Sequence, residues 1–210
     1  MPGFTVWLFT VLLLPMYLLG VDEAGRGPLA GPVAVGVVAV PEGFDVPREF
    51  PGVADSKKLS EKKREALYAL LEERTARGDV RFAVEFESAE AIDREGIAVV
   101  IRRAVSRGVN ALAPDAAQVE VLLDGSLKAP VEYRQRTIIG GDETVPLISL
   151  ASIAAKVSRD RRMREFAAVY PQYNFEVHKG YGTKLHYEML RTHGLSVIHR
   201  RSFIHLDQGK

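Results

Sequence analysis

The chain has 210 residues, 47% hydrophobic and 26% charged, with 18 Gly, 11 Pro and no Cys. This length and apolar content support a packed core and exclude wholesale disorder; the absence of cysteine excludes a disulfide framework, a thiolate nucleophile and a sulfur-ligated zinc site, and suits a reducing compartment. The net charge of +1 names no partner, but residues 156–210 hold 11 Lys and Arg against 5 Asp and Glu, and all five His, so a polyanion is drawn to the C-terminal quarter.

Residues 4–21 carry no charged side chain and include Val11-Leu12-Leu13-Leu14, a run just long enough to consider as a membrane span. Met1-Pro2-Gly3 lacks the positive start of a signal peptide, no small-x-small cleavage site follows, and Pro15 interrupts the run. The segment is therefore read as an apolar extension over residues 1–15 leading into a buried strand from about Met16 to Val21. An N-terminal anchor over residues 4–20, or a start codon placed too early, is the alternative.

Pro32 to Val40 (PVAVGVVAV) reads as a second buried strand, and the Gly-rich link from Val21 to Ala30 makes the two an antiparallel hairpin. Pro41 to Lys58 reads as a loop. Ser60 caps a helix running to about Arg74, with Leu67, Leu70 and Leu71 on its apolar stripe. Val80 to Phe86 alternates as a strand. Ser88 to Asn110 reads as helix broken at Gly96, with Ile97, Val100, Ile101 and Ala104 on one face. Val119 to Leu123 is a short buried strand ending at Asp124-Gly125, and Arg134 to Ile139 is another, ending at Gly140-Gly141-Asp142. Pro146 opens a long helix to about Val169; Leu150, Ile153, Ala154 and Val157 form its buried stripe, and Ser149, Ser152, Lys156 and Arg159 a polar one. From Pro171 the tail is loop-rich, with a helix near Lys184 to Thr192. The order predicts an α/β fold on a mixed sheet rather than a repeating βαβ array.

Three acidic sites sit where a predicted strand meets glycine: Asp22-Glu23 before Gly25, Asp124 before Gly125, and Asp142 after Gly140-Gly141. Asp and Gly also simply mark turns, which explains any one of them alone. Gathered at one sheet edge, however, they would repel one another unless cations neutralised them, and hard divalent ions with oxygen ligands, Mg²⁺ or Mn²⁺, suit that task and in-line displacement at phosphorus. Neighbouring strand residues point to opposite faces, so Asp22 and Glu23 can share a site only if the strand ends or bends there. Gly25-Arg26-Gly27 offers backbone that a sugar or phosphate can approach closely, beside one guanidinium. The polar helix stripe can follow a phosphate backbone or be an ordinary exposed face. Tyr181, between Gly180 and Gly182, can stack on a sugar or base, or be a core tyrosine.

These pieces resemble the bacterial ribonuclease HII (type 2 ribonuclease H) family. The matching stretches are VDEAGRGPLAGPV (21–33), DSKKLSEKKRE (55–65), LLDG (122–125), GGDETVPLISLASIAAKVSRD (140–160), YPQYNFEVHKGYGTKLH (170–186) and HGLSVIHRRSF (193–203). The resemblance implies a ribonuclease H-like mixed sheet flanked by helices, with a small C-terminal helical extension. It implies hydrolysis of the RNA strand of RNA–DNA hybrids and cutting 5′ of single ribonucleotides embedded in duplex DNA, by two divalent ions, leaving 3′-hydroxyl and 5′-phosphate ends. Carried over residue by residue, Asp22, Glu23, Asp124 and Asp142 are the catalytic, metal-binding carboxylates. Gly25, Arg26 and Gly27 read the 2′-hydroxyl, Tyr181 stacks on the following sugar, and Lys57, Ser152 and Lys156 contact the substrate backbone. The apolar residues 1–15 depart from the family pattern.

The expected organisation is an extension over 1–15, a catalytic domain over 16–170 and a substrate-contacting helical region over 171–210. The expected setting is a cytoplasmic monomer bound to nucleic acid, with no membrane partner unless residues 4–20 act as an anchor. Rival readings are another two-metal nuclease of the same fold, such as a junction resolvase, a catalytically silent hybrid-binding protein, and a membrane-tethered protein.

Overall fold

The computed structural model describes residues 17–53, 59–113 and 115–205. The apolar extension over 1–15, Met16 and the Lys57 segment lie outside the described residues. Among the described residues, no helix is long and apolar enough to cross a membrane.

The first hairpin forms as its sequence predicts. Strands β1 (Tyr17–Ala24) and β2 (Val33–Pro41) pair antiparallel, with Asp22 opposite Gly36 and Glu23 opposite Val35. Strands β3 (Arg81–Glu87), β4 (Val119–Asp124) and β5 (Arg134–Ile138) complete one sheet in the order β3-β2-β1-β4-β5. β1 and β4 are parallel, and so are β4 and β5. Parallel neighbours require a crossover: the helical stretch between β3 and β4 brings β4 back beside β1, and residues 125–133 carry the chain from β4 to β5.

Nearly every β2 residue is buried, because both sheet faces are covered. Val33, Val35 and Val37 pack with Val100, Ile101, Ala104 and Val105 of a helix on one face. Val38 and Val40 pack with Leu150, Ile153, Leu67 and Leu71 on the other. Such two-sided burial gives the continuous apolar run in the sequence rather than alternation.

Helices α1 (Val46–Glu49) and α2 (Glu61–Arg77) follow β2, and α3 (Ala89–Glu95) and α4 (Ile97–Leu112) follow β3. Ser60 accepts the Lys63 N–H at the start of α2, and Gly96, at φ +86°, separates α3 from α4. Helix α1 corrects the expectation of a plain loop over Pro41 to Lys58: Asp45 accepts the Arg48 N–H and Pro47 stands in the first turn, a helix too short to leave a periodic signal. Short helices α5 (Gly141–Thr144) and α7 (Phe175–His178) escape periodicity for the same reason.

The long helix α6 (Pro146–Val169) crosses β1 and β2. It sits so low that a Cβ on Gly20 would lie 2.4 Å from the Leu147 carbonyl oxygen, and one on Gly36 only 2.2 Å from that of Ala151. Side chains are absent there because backbone occupies their place. The C-terminal segment, with α8 (Lys184–His193), packs around Leu29, Met163, Tyr173, Phe175 and Leu190 at the far end of α6.

Candidate active site

The sheet register brings the acids together. The β1–β4 pairing ends at Val21 opposite Leu123, so Asp22 and Asp124 come next at the carboxyl ends of adjacent parallel strands, the edge where α/β sheets bind ligands. β1 runs three residues past this pairing to Ala24, so Glu23 reaches the same opening. The expected bend is at Gly25 (φ +89°), and both acids line one cavity although the strand continues through them. Asp142 arrives from β5 through Gly140 in the first turn of α5. Its N–H donates to Asp124 Oδ1 at 3.3 Å, and the Ser149 hydroxyl donates to its carbonyl at 2.5 Å.

The cavity, about 430 Å³, is lined by all four carboxylates and by Gly25, Arg26 and Gly27. Ser152, Lys156, Tyr181 and Arg64 complete its walls. Every described residue of the predicted set therefore lines this one cavity.

Burial dominates the electrostatics. Asp22 is 5% exposed, and its carboxyl is pushed up to about 8: desolvation outweighs the Ser152 hydrogen bond, and Glu23 and Asp124 add like-charge repulsion. Burial also raises Glu23, against the pull of Arg26, whose Nη1 lies 3.1 Å from Glu23 Oε1. An Asp22 that resists ionisation needs a cation to become a full carboxylate at neutral pH. The donors are all oxygen, suited to Mg²⁺ or Mn²⁺. Among the described residues, no three His, Cys, Asp or Glu side chains converge on one point. Asp22 Oδ1 instead accepts the Glu23 N–H at 2.7 Å, Asp124 Oδ1 accepts that of Asp142, and Glu23 faces Arg26. The donor chemistry and the shared cavity fit divalent ions; the side chains are tied to neighbours.

The Gly25–Gly27 loop is held from beneath by Arg200, wholly buried although charged. Its Nη2 donates to the Gly25 carbonyl at 2.7 Å, Nη1 to that of Arg26 at 2.9 Å and Nε to that of Gly31 at 3.0 Å. Arg159, also wholly buried, donates from Nε to the Pro32 carbonyl and from Nη2 to that of Ala30. Desolvation lowers Arg200 to about 9, the Arg159 charge adding to it. With the loop carbonyls turned toward these guanidiniums, Gly27 faces open space.

This corrects the exposed-stripe expectation for α6. Arg159 and Ser149 are interior residues that shape loops, while Ser152 and Lys156 line the cavity. Lys156 Nζ lies 2.8 Å from Asp160 Oδ1 and 5.7 Å from the Tyr181 ring centre. Tyr181 is 42% exposed, which excludes the core-tyrosine alternative.

Three buried histidines hold the Tyr181 loop, a feature sequence reasoning missed. His199 Nδ1 accepts from Ser196 N at 2.9 Å, so its Nε2–H donates to His186 Nε2 at 3.0 Å, and His186 Nδ1–H donates to the Tyr181 carbonyl at 2.9 Å. His178, stacked on His186 at 4.3 Å, accepts the Gly180 N–H on Nδ1. Arg64 was missed as well; within EKKRE nothing distinguishes it from its neighbours.

A mixed five-stranded sheet flanked by helices, with acids at the carboxyl ends of its central parallel strands, defines a ribonuclease H-like nuclease. Comparison with known proteins narrows this. The family profile described as "Ribonuclease HII" matches residues 19–206. Ribonuclease HII of Endomicrobium trichonymphae is 48% identical over 187 residues, covering 88% of this chain and 83% of the relative. That of Coxiella burnetii (strain RSA 493 / Nine Mile phase I) is 44% identical over 191 residues, covering 90% and 88%. The RNase HII of Archaeoglobus fulgidus, solved in a complex with PCNA, superposes with a TM-score of 0.73 at 25% identity, covering 92% of this chain and 98% of that one. The chain belongs to the ribonuclease HII family, and is thereby a ribonuclease H, a hydrolase that cuts the RNA strand of RNA–DNA hybrids.

Proposed function

We propose that the enzyme also incises duplex DNA on the 5′ side of single embedded ribonucleotides, leaving 3′-hydroxyl and 5′-phosphate ends. The observation that carries this is the acid cavity: four carboxylates from three separate segments share one opening with the Gly25–Gly27 loop and Tyr181. In this reading Asp22, Glu23, Asp124 and Asp142 hold two Mg²⁺ or Mn²⁺ ions, which when bound supply an activated water and stabilise the leaving 3′-oxygen.

The chain's own residues do the recognition. The side-chain-free face of Gly27 lets a ribose edge come within hydrogen-bond reach of backbone, where the 2′-hydroxyl separates RNA from DNA. Arg26, exposed beside Glu23, meets the neighbouring phosphate. The Tyr181 ring, aimed into the opening and flanked by Lys156 and Arg159, stacks on the sugar that follows the cut. Ser152 and Lys156, with Lys57, contact the backbone. The cavity is complete within one chain, which supports a monomer, and the lack of cysteine suits action in the cytoplasm on ribonucleotides left in DNA.

The test is a duplex carrying one ribonucleotide, incubated with Mg²⁺, Mn²⁺ or EDTA, with the cut mapped on a sequencing gel. A single cut 5′ of the ribonucleotide, abolished by EDTA, is expected. Cutting of all-DNA junctions, or no metal dependence, would overturn the reading.

A further inference from the structure

We propose that a second, basic recess beside the acid cavity is a phosphodiester subsite for the substrate duplex, an assignment that rests on the nucleic-acid reading above. The recess, about 150 Å³, lies between α4 and the loop that follows β4. Its floor is apolar (Ile101, Val105, Leu127), and its rim carries Arg26, Arg102 and Lys128 with the Ser126 hydroxyl. Among the described residues, no acidic side chain lines it. The low-dielectric floor strengthens attraction between these cations and an anion above them.

The ion pairing of α4 separates this recess from an ordinary basic surface. Arg103 is held by Glu87 and Glu95, and Arg107 by Glu85 and Glu87. Across the β4–β5 edge, Arg134 and Arg136 both face Glu120. Arg102 and Lys128, by contrast, have no carboxylate within 4 Å among the described residues, and both are exposed. Of the three rim cations, Arg26 is shared with Glu23, while Arg102 and Lys128 are left to face an incoming anion.

Arg26 ties the recess to the chemistry, because it lines both openings. One opening is acidic and calls for cations; the other is basic and calls for anions. A strand with a phosphate in the acid cavity continues past Arg26 into the basic recess, so Arg102 and Lys128 extend the footprint by at least one linkage. Phosphate contacts of this kind fix register without reading sequence.

The test substitutes Arg102→Gln and Lys128→Gln together. Both side chains are exposed and outside the acid cavity, so thermal stability and saturated kcat should match the parent. Hybrid binding is measured between about 50 and 200 mM salt in an Asp124→Asn background that prevents cleavage. The slope of log affinity against log salt should become shallower by about 2, and KM of the cleaving enzyme should rise roughly tenfold. Neutral methylphosphonate linkages, moved one at a time along either strand, identify the source. Expected is one linkage whose neutralisation weakens the parent but not the double variant. An unchanged salt slope and KM, or equal sensitivity of parent and variant to every linkage, would overturn the subsite. Failure of the parent to cut any hybrid would instead overturn the functional reading, and the binding arm would still judge the recess.

Discussion

Gly25 and Gly27 are two residues apart, yet substitution by alanine should do opposite things. At Gly25 the backbone is left-handed (φ +89°), and a Cβ would lie 1.9 Å from Arg159 Nε and 2.4 Å from Cδ. The left-handed conformation costs an L-residue about 1–2 kcal/mol. Arg159 must also yield, weakening a buried charge-assisted bond to the Ala30 or Pro32 carbonyl worth about 1.5–3 kcal/mol. The sum, about 2.5–5 kcal/mol, lowers Tm by roughly 5–20 °C in a domain of this size. At Gly27 no atom lies within 4 Å of the added methyl, and lost unfolded-state entropy stabilises by about 0.4–1 kcal/mol. Gly27→Ala should therefore melt at or slightly above the parent. Its methyl nevertheless stands where the ribose must approach; losing one hydrogen bond of about 1.5 kcal/mol costs roughly tenfold in kcat/KM on a single-ribonucleotide duplex. Thermal melting and steady-state cleavage of both variants decide the matter. Parental kcat/KM for Gly27→Ala, or a Tm for Gly25→Ala within about 2 °C of the parent, would refute the reasoning.

The same treatment extends to three further sites. Gly36→Ala places a methyl 2.2 Å from the Ala151 carbonyl oxygen and 2.9 Å from Ala155 N. Such overpacking costs about 1–3 kcal/mol and exceeds the entropy gain of at most about 1 kcal/mol, so the urea midpoint should fall at unchanged slope. A midpoint at or above the parent's would show that α6 can shift away. Burial holds His186 and His199 down to about 4, against about 6.5 for a free imidazole. The unfolded chain then takes up protons that the folded one refuses, so this contribution is full above pH 6.5 and is lost as pH falls toward 4. The loss is at most about 2.5 kcal/mol per pH unit near pH 5 for the pair. His186→Gln should flatten the dependence of stability on pH between 7 and 5, and an unchanged slope would remove His186 from it. Tyr181→Ala should lose preference for the ribonucleotide junction while changing Tm by less than about 2 °C, since the ring is half-exposed; equal loss of both would make the ring a structural support.

Much of this fold is legible because its elements carry local signals. The glycines around Arg26 and the valine run of β2 give the hairpin, Ser60 and Pro146 open α2 and α6, and Gly96 divides α3 from α4. Each predicted boundary falls within a few residues of the observed one. The four acids are legible as strand-end residues, but their meeting is not, since it depends on β4 crossing over to lie parallel to β1. Long-range support leaves still less trace. Arg200 is 175 residues from the Gly25 carbonyl it holds, and nothing local marks it as buried. The polar spacing on α6 suggests an exposed stripe because periodicity cannot distinguish solvent from buried carbonyls as partners; Arg159 found the carbonyls.

The most direct test of the central claim, that carboxylates from β1, β4 and α5 form one catalytic site, compares hybrid cleavage with hybrid binding in Asp124→Asn. This isosteric change keeps the side chain's shape and its acceptor toward the Asp142 N–H while removing its charge. The account predicts that hybrid binding persists and that cleavage in Mg²⁺ or Mn²⁺ falls by roughly a thousandfold or more, a loss of about 4 kcal/mol of transition-state stabilisation. Cleavage within about tenfold of the parent, with the hybrid still bound, would contradict it.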